Sequence, residues 1–328
     1  MGGATSLPTT TPPSAPSPAA AASPAATTAT AATTAGRPMT DEQRATFERD
    51  GYLVVPGALR RDEVERHARA LDLVHGDAER LDRLAPDGSL QLLGAVKHCP
   101  PLADLLDHPA VFPLIWSVLG WNVHVCHSHL NVHPPLDPDR PRPARWRWHQ
   151  DGSRQCLDLE TDPPPRLSVF VGWWLSDVSE PGRGNLTLIP GSHRTKWLPG
   201  PPDPTTPWPA PEGAVELTAR PGDAVMFDRR LWHTKSDNYS DVVRKVVFLG
   251  YTFRWVTIRD DVGGITEQPW YAALGPVARQ LLGEGATPDD GTGDHQWGHR
   301  PDEVPLYTTL RDQGLLDPTN RLHRRFVP

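Results

Sequence analysis

The chain has 328 residues and a formal charge of −7. That length suits one large β-rich domain as well as two small ones, and the acidic balance gives no reason to expect nucleic acid as a partner. No apolar run approaches the roughly 20 residues of a membrane helix, and three cysteines without CxxC spacing suggest reduced thiols in a cytoplasm.

Residues 1–38 are almost entirely Ala, Thr, Pro, Ser and Gly. Such a stretch cannot bury enough surface to offset its ordering entropy, so it is predicted to be a disordered tail before one domain over 39–328. It has neither the charged start nor the continuous apolar core of a signal peptide, and Met39 is an alternative start. Thr40-Asp41-Glu42-Gln43 is a capping box that opens a helix. Gly51 ends that helix, and residues 52–55 have strand character. A second helix is predicted over 61–74, with Val64, Ala68 and Leu71 on one stripe. Short helices are predicted over 102–106 and 111–119, the latter stopped by Gly120.

Residues 121–133 are predicted as a strand ended by Pro134-Pro135, with His127, His129, Asn131 and His133 on its odd-numbered face. A loop over 134–144 leads into Arg145-Trp146-Arg147-Trp148-His149-Gln150-Asp151-Gly152. In a strand, residues i and i+2 face the same way, so His149 and Asp151 would aim an imidazole and a carboxylate at one point. These are two of the three ligands of a 2-His-1-carboxylate facial triad for non-haem Fe(II). The same residues also fit a surface turn over 150–152. Arg145 and Arg147 share the parity of His149. A buried guanidinium needs an anion, so Arg147 is expected to meet an internal acid or an acidic group on the substrate, unless Pro143 bends the strand and leaves it in solvent. Gln150 is counted with Arg147 as a candidate substrate contact.

Residues 166–174 are predicted as a strand ending in Trp173-Trp174, followed by a polar turn and a strand over 186–189. His193, in a Pro-Gly-Ser-His turn, suits a structural hydrogen bond better than a metal. The proline-dense stretch 199–212, with Trp208, is a loop and a candidate lid. Pro221-Gly222-Asp223 is a turn before the apolar strand 224–227. His233, just past that strand, is the best candidate for the third ligand. Eleven residues on, across a turn-forming stretch, Arg244 opens a β-rich run to Phe253. An arginine fork binds a carboxylate through two bonds, which suits Arg244 to the distal carboxylate of a co-substrate. Beyond residue 257 the signals weaken, apart from a helix predicted over 276–282.

His149-Gln150-Asp151, the run Gly184 to His193, Pro221-Gly222-Asp223, His233 and Arg244 together resemble the phytanoyl-CoA dioxygenase family, as does the opening Phe47 to Gly57. The resemblance runs from about residue 39 to 255, and the order and spacing of the motifs make it specific. It implies a double-stranded β-helix: a mainly β, jelly-roll, cupin-like core with flanking helices. It also implies Fe(II) on His149, Asp151 and His233, with 2-oxoglutarate as co-substrate and O2 as oxidant. By the same resemblance His129 and Trp173 lie beside the co-substrate, though each also fits a wall or core position. One departure is Lys235, where relatives often carry a serine.

The function implied is a dioxygenase that hydroxylates a C–H bond of a small organic molecule, such as a natural-product intermediate. Asp151 argues against a halogenase, which needs that position for chloride. Two alternatives are a catalytically silent jelly roll that binds a ligand, and a cupin-type metal-dependent hydrolase or isomerase. No membrane or nucleic-acid partner is expected, and oligomeric state is left open.

Overall fold

The computed structural model describes residues 36–139, 145–151, 158–161, 164–284 and 301–324. The predicted tail falls almost wholly outside them, as do Pro143, Gly152 and Cys156. Order is evident from Met39, which is buried and donates its N–H to Ser117 Oγ at 2.9 Å.

Helix α1 (Asp41–Asp50) has both bonds of the Thr40/Gln43 capping box and ends at Gly51, whose φ of 82° is cheap only for glycine. Strand β1 (Tyr52–Val55) follows. Helix α2 (Arg61–Arg80) is six residues longer than expected. It runs straight through Gly76, because packing of its apolar stripe outweighs the ~1 kcal/mol helix penalty of one glycine. Then come β2 (Leu90–Leu93), α3 (Ala95–His98), a 3₁₀ turn over Pro100–Leu105, and α4 (Phe112–Leu119), stopped at Gly120.

The remaining strands are β3 (Val123–His133), β4 (Ser168–Trp174), β5 (Leu186–Leu188), β6 (Val215–Glu216), β7 (Ala224–Asp228), β8 (His233–Lys235) and β9 (Arg244–Phe253). They form a six-stranded sheet in the order β1-β7-β4-β9-β3-β2 and a three-stranded sheet in the order β6-β5-β8. Every pairing is antiparallel. The two sheets face each other across Phe170, Trp174, Phe227, Phe248, Leu186 and Leu188. The other face of the large sheet packs on the helices through Val169, Val171, Trp173, Met226, Leu249 and Tyr251. This is the jelly roll with flanking helices that the sequence predicts.

One irregularity positions the site. In β3, Val123 and Val125 lie on the helix side, and so do Leu130 and Val132. Odd and even positions exchange faces because the pairing with β9 slips between Val125 and His127. The bulge takes up one residue and turns His127 and His129 into the space between the sheets. At the carboxyl-terminal end, α5 (Pro276–Leu281) and α6 (Pro305–Asp312) are tied to the start of β3 by Gln280. Its buried amide donates to the Trp121 and Val123 carbonyls and accepts from Leu306 N–H.

Candidate active site

Among the described residues, one group of metal-ligating side chains converges: His149, Asp151 and His233, with all ligand atoms within 4.8 Å of one another. The segment carrying His149 is not the strand that parity suggested. It touches β8 through a single antiparallel bridge, His149 to His233, in which each residue donates its N–H to the other's carbonyl at 3.0 Å. That pairing still sets the two imidazoles side by side, with ring centroids 4.3 Å apart. Asp151, in the turn that follows, is held by its N–H on the Arg229 carbonyl at 2.9 Å.

Each imidazole is oriented by a backbone carbonyl. His149 Nδ1 lies 2.8 Å from the Arg147 oxygen and His233 Nδ1 2.8 Å from the Leu231 oxygen. A carbonyl only accepts, so both Nδ1 atoms carry the proton and both Nε2 atoms keep a lone pair for a metal. Asp151 oxygens lie 3.9 Å from His149 Nε2 and 3.8 Å from His233 Nε2. Two donors on one ion at about 2.1 Å each sit no more than ~4.2 Å apart, so these edges suit a shared metal. Burial holds His233 below its ordinary range and therefore neutral. Burial raises Asp151, but His233, Arg229 and His149 outweigh it and leave the carboxylate ionised. Deprotonated ligands are the state a metal needs.

Arg244 faces the same interior from β9 and is 2% exposed. Its Nε and one terminal nitrogen have no hydrogen-bond partner among the described residues, and burial depresses its pKa to about 9. The chain thus holds a cation, still charged at neutral pH, with no anion paired to it among the described residues. Gly184 makes room for it: a Cβ there would stand 2.7 Å from Arg244 Cδ.

His129 lies in the same interior, stacked on Phe248 at 4.9 Å and bonded through Nδ1 to His127 Nε2 at 2.9 Å. Burial first, then His127, lowers it to about 3, so it is a neutral wall residue. His133 meets the Lys235 ammonium, which lies 3.0 Å from its Nε2. The face of β3 that carries His127, His129 and His133 therefore gathers no second metal cluster among the described residues.

Three expectations need correction. Trp173 does not reach the co-substrate region: it belongs to the helix-side core, edge-on to His108 at 5.3 Å. Its neighbour Trp174 is the one on the inner face. Gln150 is buried, and its amide nitrogen donates to the Thr195 and Arg230 carbonyls. It fastens the ligand-bearing segment rather than facing substrate. Arg145 is exposed, and Arg147 is half-buried on Asp237 at 3.2 Å, the internal acid that sequence parity left open. His193 is buried beside Gly51 and apart from the three ligand candidates.

Sequence reasoning missed Arg229. It is buried, lies over the Phe170 ring at 4.6 Å, and sets its Nε 3.9 Å from Asp151. It shares the parity of Phe227, which was the available signal.

A cavity of about 520 Å³ opens where residues 145–148 diverge from β8. Its walls are that segment, residues 234–237, and the proline-dense loop, through Thr206, Pro207, Trp208 and Ala210. The loop is joined to the segment by Trp146 N–H on the Pro204 carbonyl.

Comparison with known proteins places this geometry. The model of the phytanoyl-CoA dioxygenase family matches residues 47–246. The ectoine dioxygenase of Sphingopyxis alaskensis is 25% identical over 262 residues, covering 72% of this chain and 83% of the relative. That of Streptomyces avermitilis is 28% identical over 238 residues, covering 65% and 78%. The crystal structure of EctD from S. alaskensis with bound Fe superposes with a TM-score of 0.52 at 23% identity, over 72% of this chain and 84% of that one. No helix among the described residues is long and apolar enough to cross a membrane. The chain belongs to the phytanoyl-CoA dioxygenase family and is an Fe(II)/2-oxoglutarate-dependent dioxygenase.

Proposed function

We propose that the enzyme hydroxylates a C–H bond of a small organic substrate, with His149, Asp151 and His233 holding iron and Arg244 holding the distal carboxylate of 2-oxoglutarate. The observation that carries this is Arg244. A buried guanidinium with no counterion among the described residues is costly unless an anion arrives, and the distal carboxylate of 2-oxoglutarate held at the triad would supply one. Bound iron, with 2-oxoglutarate and O2, supplies the oxidising chemistry and leaves succinate as co-product. The residues do the rest. Arg147 and Leu231 carbonyls orient the imidazoles, and Arg229 faces the Asp151 carboxylate from behind. His129 and Phe248 stack to form part of the interior wall.

Relatives named ectoine dioxygenase and L-proline trans-4-hydroxylase support a small-molecule substrate and hydroxylation. Oxygen-dependent succinate release, screened for stimulation by candidate small molecules, tests the reading. An active preparation in which Asp151→Ala retained full turnover would sink the ligand assignment.

A further inference from the structure

The cavity beside the triad has a definite chemical character. It lies one residue from each histidine ligand candidate, since Trp148 precedes His149 and Thr234 follows His233. Its body is aromatic: Trp146, Trp148 and Trp208 line it, and Trp208 is left 46% exposed. Large apolar rings kept half in water around a concavity mark a site that gains by being filled. Indole faces favour flat partners by stacking.

Its charge is one-sided. Arg145, Arg147 and Lys235 line it against the single carboxylate of Asp237. Asp237 is engaged by Arg147 at 3.2 Å. Arg145 is exposed, with no ion pair among the described residues. Among the described lining residues, a cationic ligand would meet one acid, already engaged by Arg147, and three basic side chains. An anionic one finds the guanidinium fork of Arg145, and beside it Arg147, which touches Asp237 through Nη1.

We propose that this cavity binds a flat apolar or aromatic acid, the tryptophans holding its body and Arg145 and Arg147 its carboxylate. As a statement about substrate, this rests on the dioxygenase reading above. As a statement about binding, it stands on the cavity alone.

The test uses the full chain loaded with Fe(II) and 2-oxoglutarate under nitrogen, so binding is measured without turnover. Calorimetry compares naphthalene-2-carboxylate, naphthalene-2-carboxamide and 2-naphthylmethylamine. The acid is expected to bind about tenfold tighter than the amide, the yield of one charge-assisted hydrogen bond, and the amine more weakly than either. Arg145→Gln combined with Arg147→Gln should erase the preference for acid over amide. Trp208→Leu should weaken acid and amide alike, because the body rather than the head loses its partner. Equal affinity for all three probes, tighter binding of the amine, or no binding of any overturns the proposal. In air, acids that bind yet never stimulate succinate release, while other molecules do, would detach the cavity from the substrate and leave the dioxygenase reading intact. Absence of succinate under every condition would sink the dioxygenase reading and leave the binding result standing.

Discussion

The two halves of the site are held in different ways. His233 and Arg244 stand at the heads of strands, and β9 pairs with β3 from Arg244 to Phe253 and with β4 from Val246 to Thr252. Their side chains are nearly inaccessible. His149 and Asp151 stand on an arm fastened by one backbone bridge, by Asp151 N–H on the Arg229 carbonyl and by the side chain of Gln150. The His149 side chain is 55% exposed, against 8% for His233. The sheet-borne half presents one ligand candidate and the proposed anion anchor. The arm-borne half carries the other two ligand candidates on its inner end and the cavity wall on its outer end.

The comparison is broken most completely by removing a ligand from either half. Asp151→Ala and His233→Ala are each expected to lower turnover more than about 100-fold, beyond the range of outer partners of a metal site, with little change in melting temperature. Steady-state succinate release and thermal unfolding measure the two.

Arg244→Met separates the halves by function. The loss of its charge-assisted bonds should cost about 10- to 100-fold in kcat/KM for 2-oxoglutarate. Removing an uncompensated buried charge should at the same time raise the melting temperature of the ligand-free protein, and added 2-oxoglutarate should no longer stabilise it. A fall in ligand-free stability would show that Arg244 has an internal partner.

Gln150→Ala tests the arm's fastening. Metal affinity is expected to fall about tenfold with 2-oxoglutarate KM at saturating metal nearly unchanged, as read by Mn(II) titration. Gly184→Ala tests the sheet side more gently. The new Cβ meets Arg244 Cδ at 2.7 Å, on a backbone with φ of 73°. It should raise 2-oxoglutarate KM several-fold and destabilise by about 1–3 kcal/mol. Starting the chain at Gly36 instead of Met1 should move neither half, with stability within about 0.5 kcal/mol and unchanged kcat. A clear loss would show that the tail docks.

Much of the sheet-borne half was legible. His233 and Arg244 follow turn signals and apolar runs, and strand ends are where such signals are sharpest. The His-x-Asp pair was legible too, but its support was not. Periodicity predicts a strand wherever alternation is present, while pairing depends on a partner that residues 145–148 leave after one bridge. Trp173 shows a second limit. Both faces of β4 are buried, so alternation between apolar and polar cannot fix which tryptophan looks inward. The bulge at Cys126 was invisible for the same reason. A slip of one residue changes facing without changing composition, and only the β9 register reveals it. Arg229 stayed hidden because a charged residue just past a strand end looks like solvent-facing punctuation.

The single bridge at His149 works as a clasp. Inboard of it, distances are fixed to what a metal tolerates. Outboard, no backbone pairing with β8 continues, and the chain is held by side chain and loop, through Arg147 on Asp237 and Trp146 N–H on the Pro204 carbonyl. Lengthening such a loop costs only logarithmically in closure entropy, ~0.6 kcal/mol per doubling. The diameter of the cavity can therefore be retuned, by substitution or insertion on either side of it, while the chemistry on the inboard side keeps its gauge.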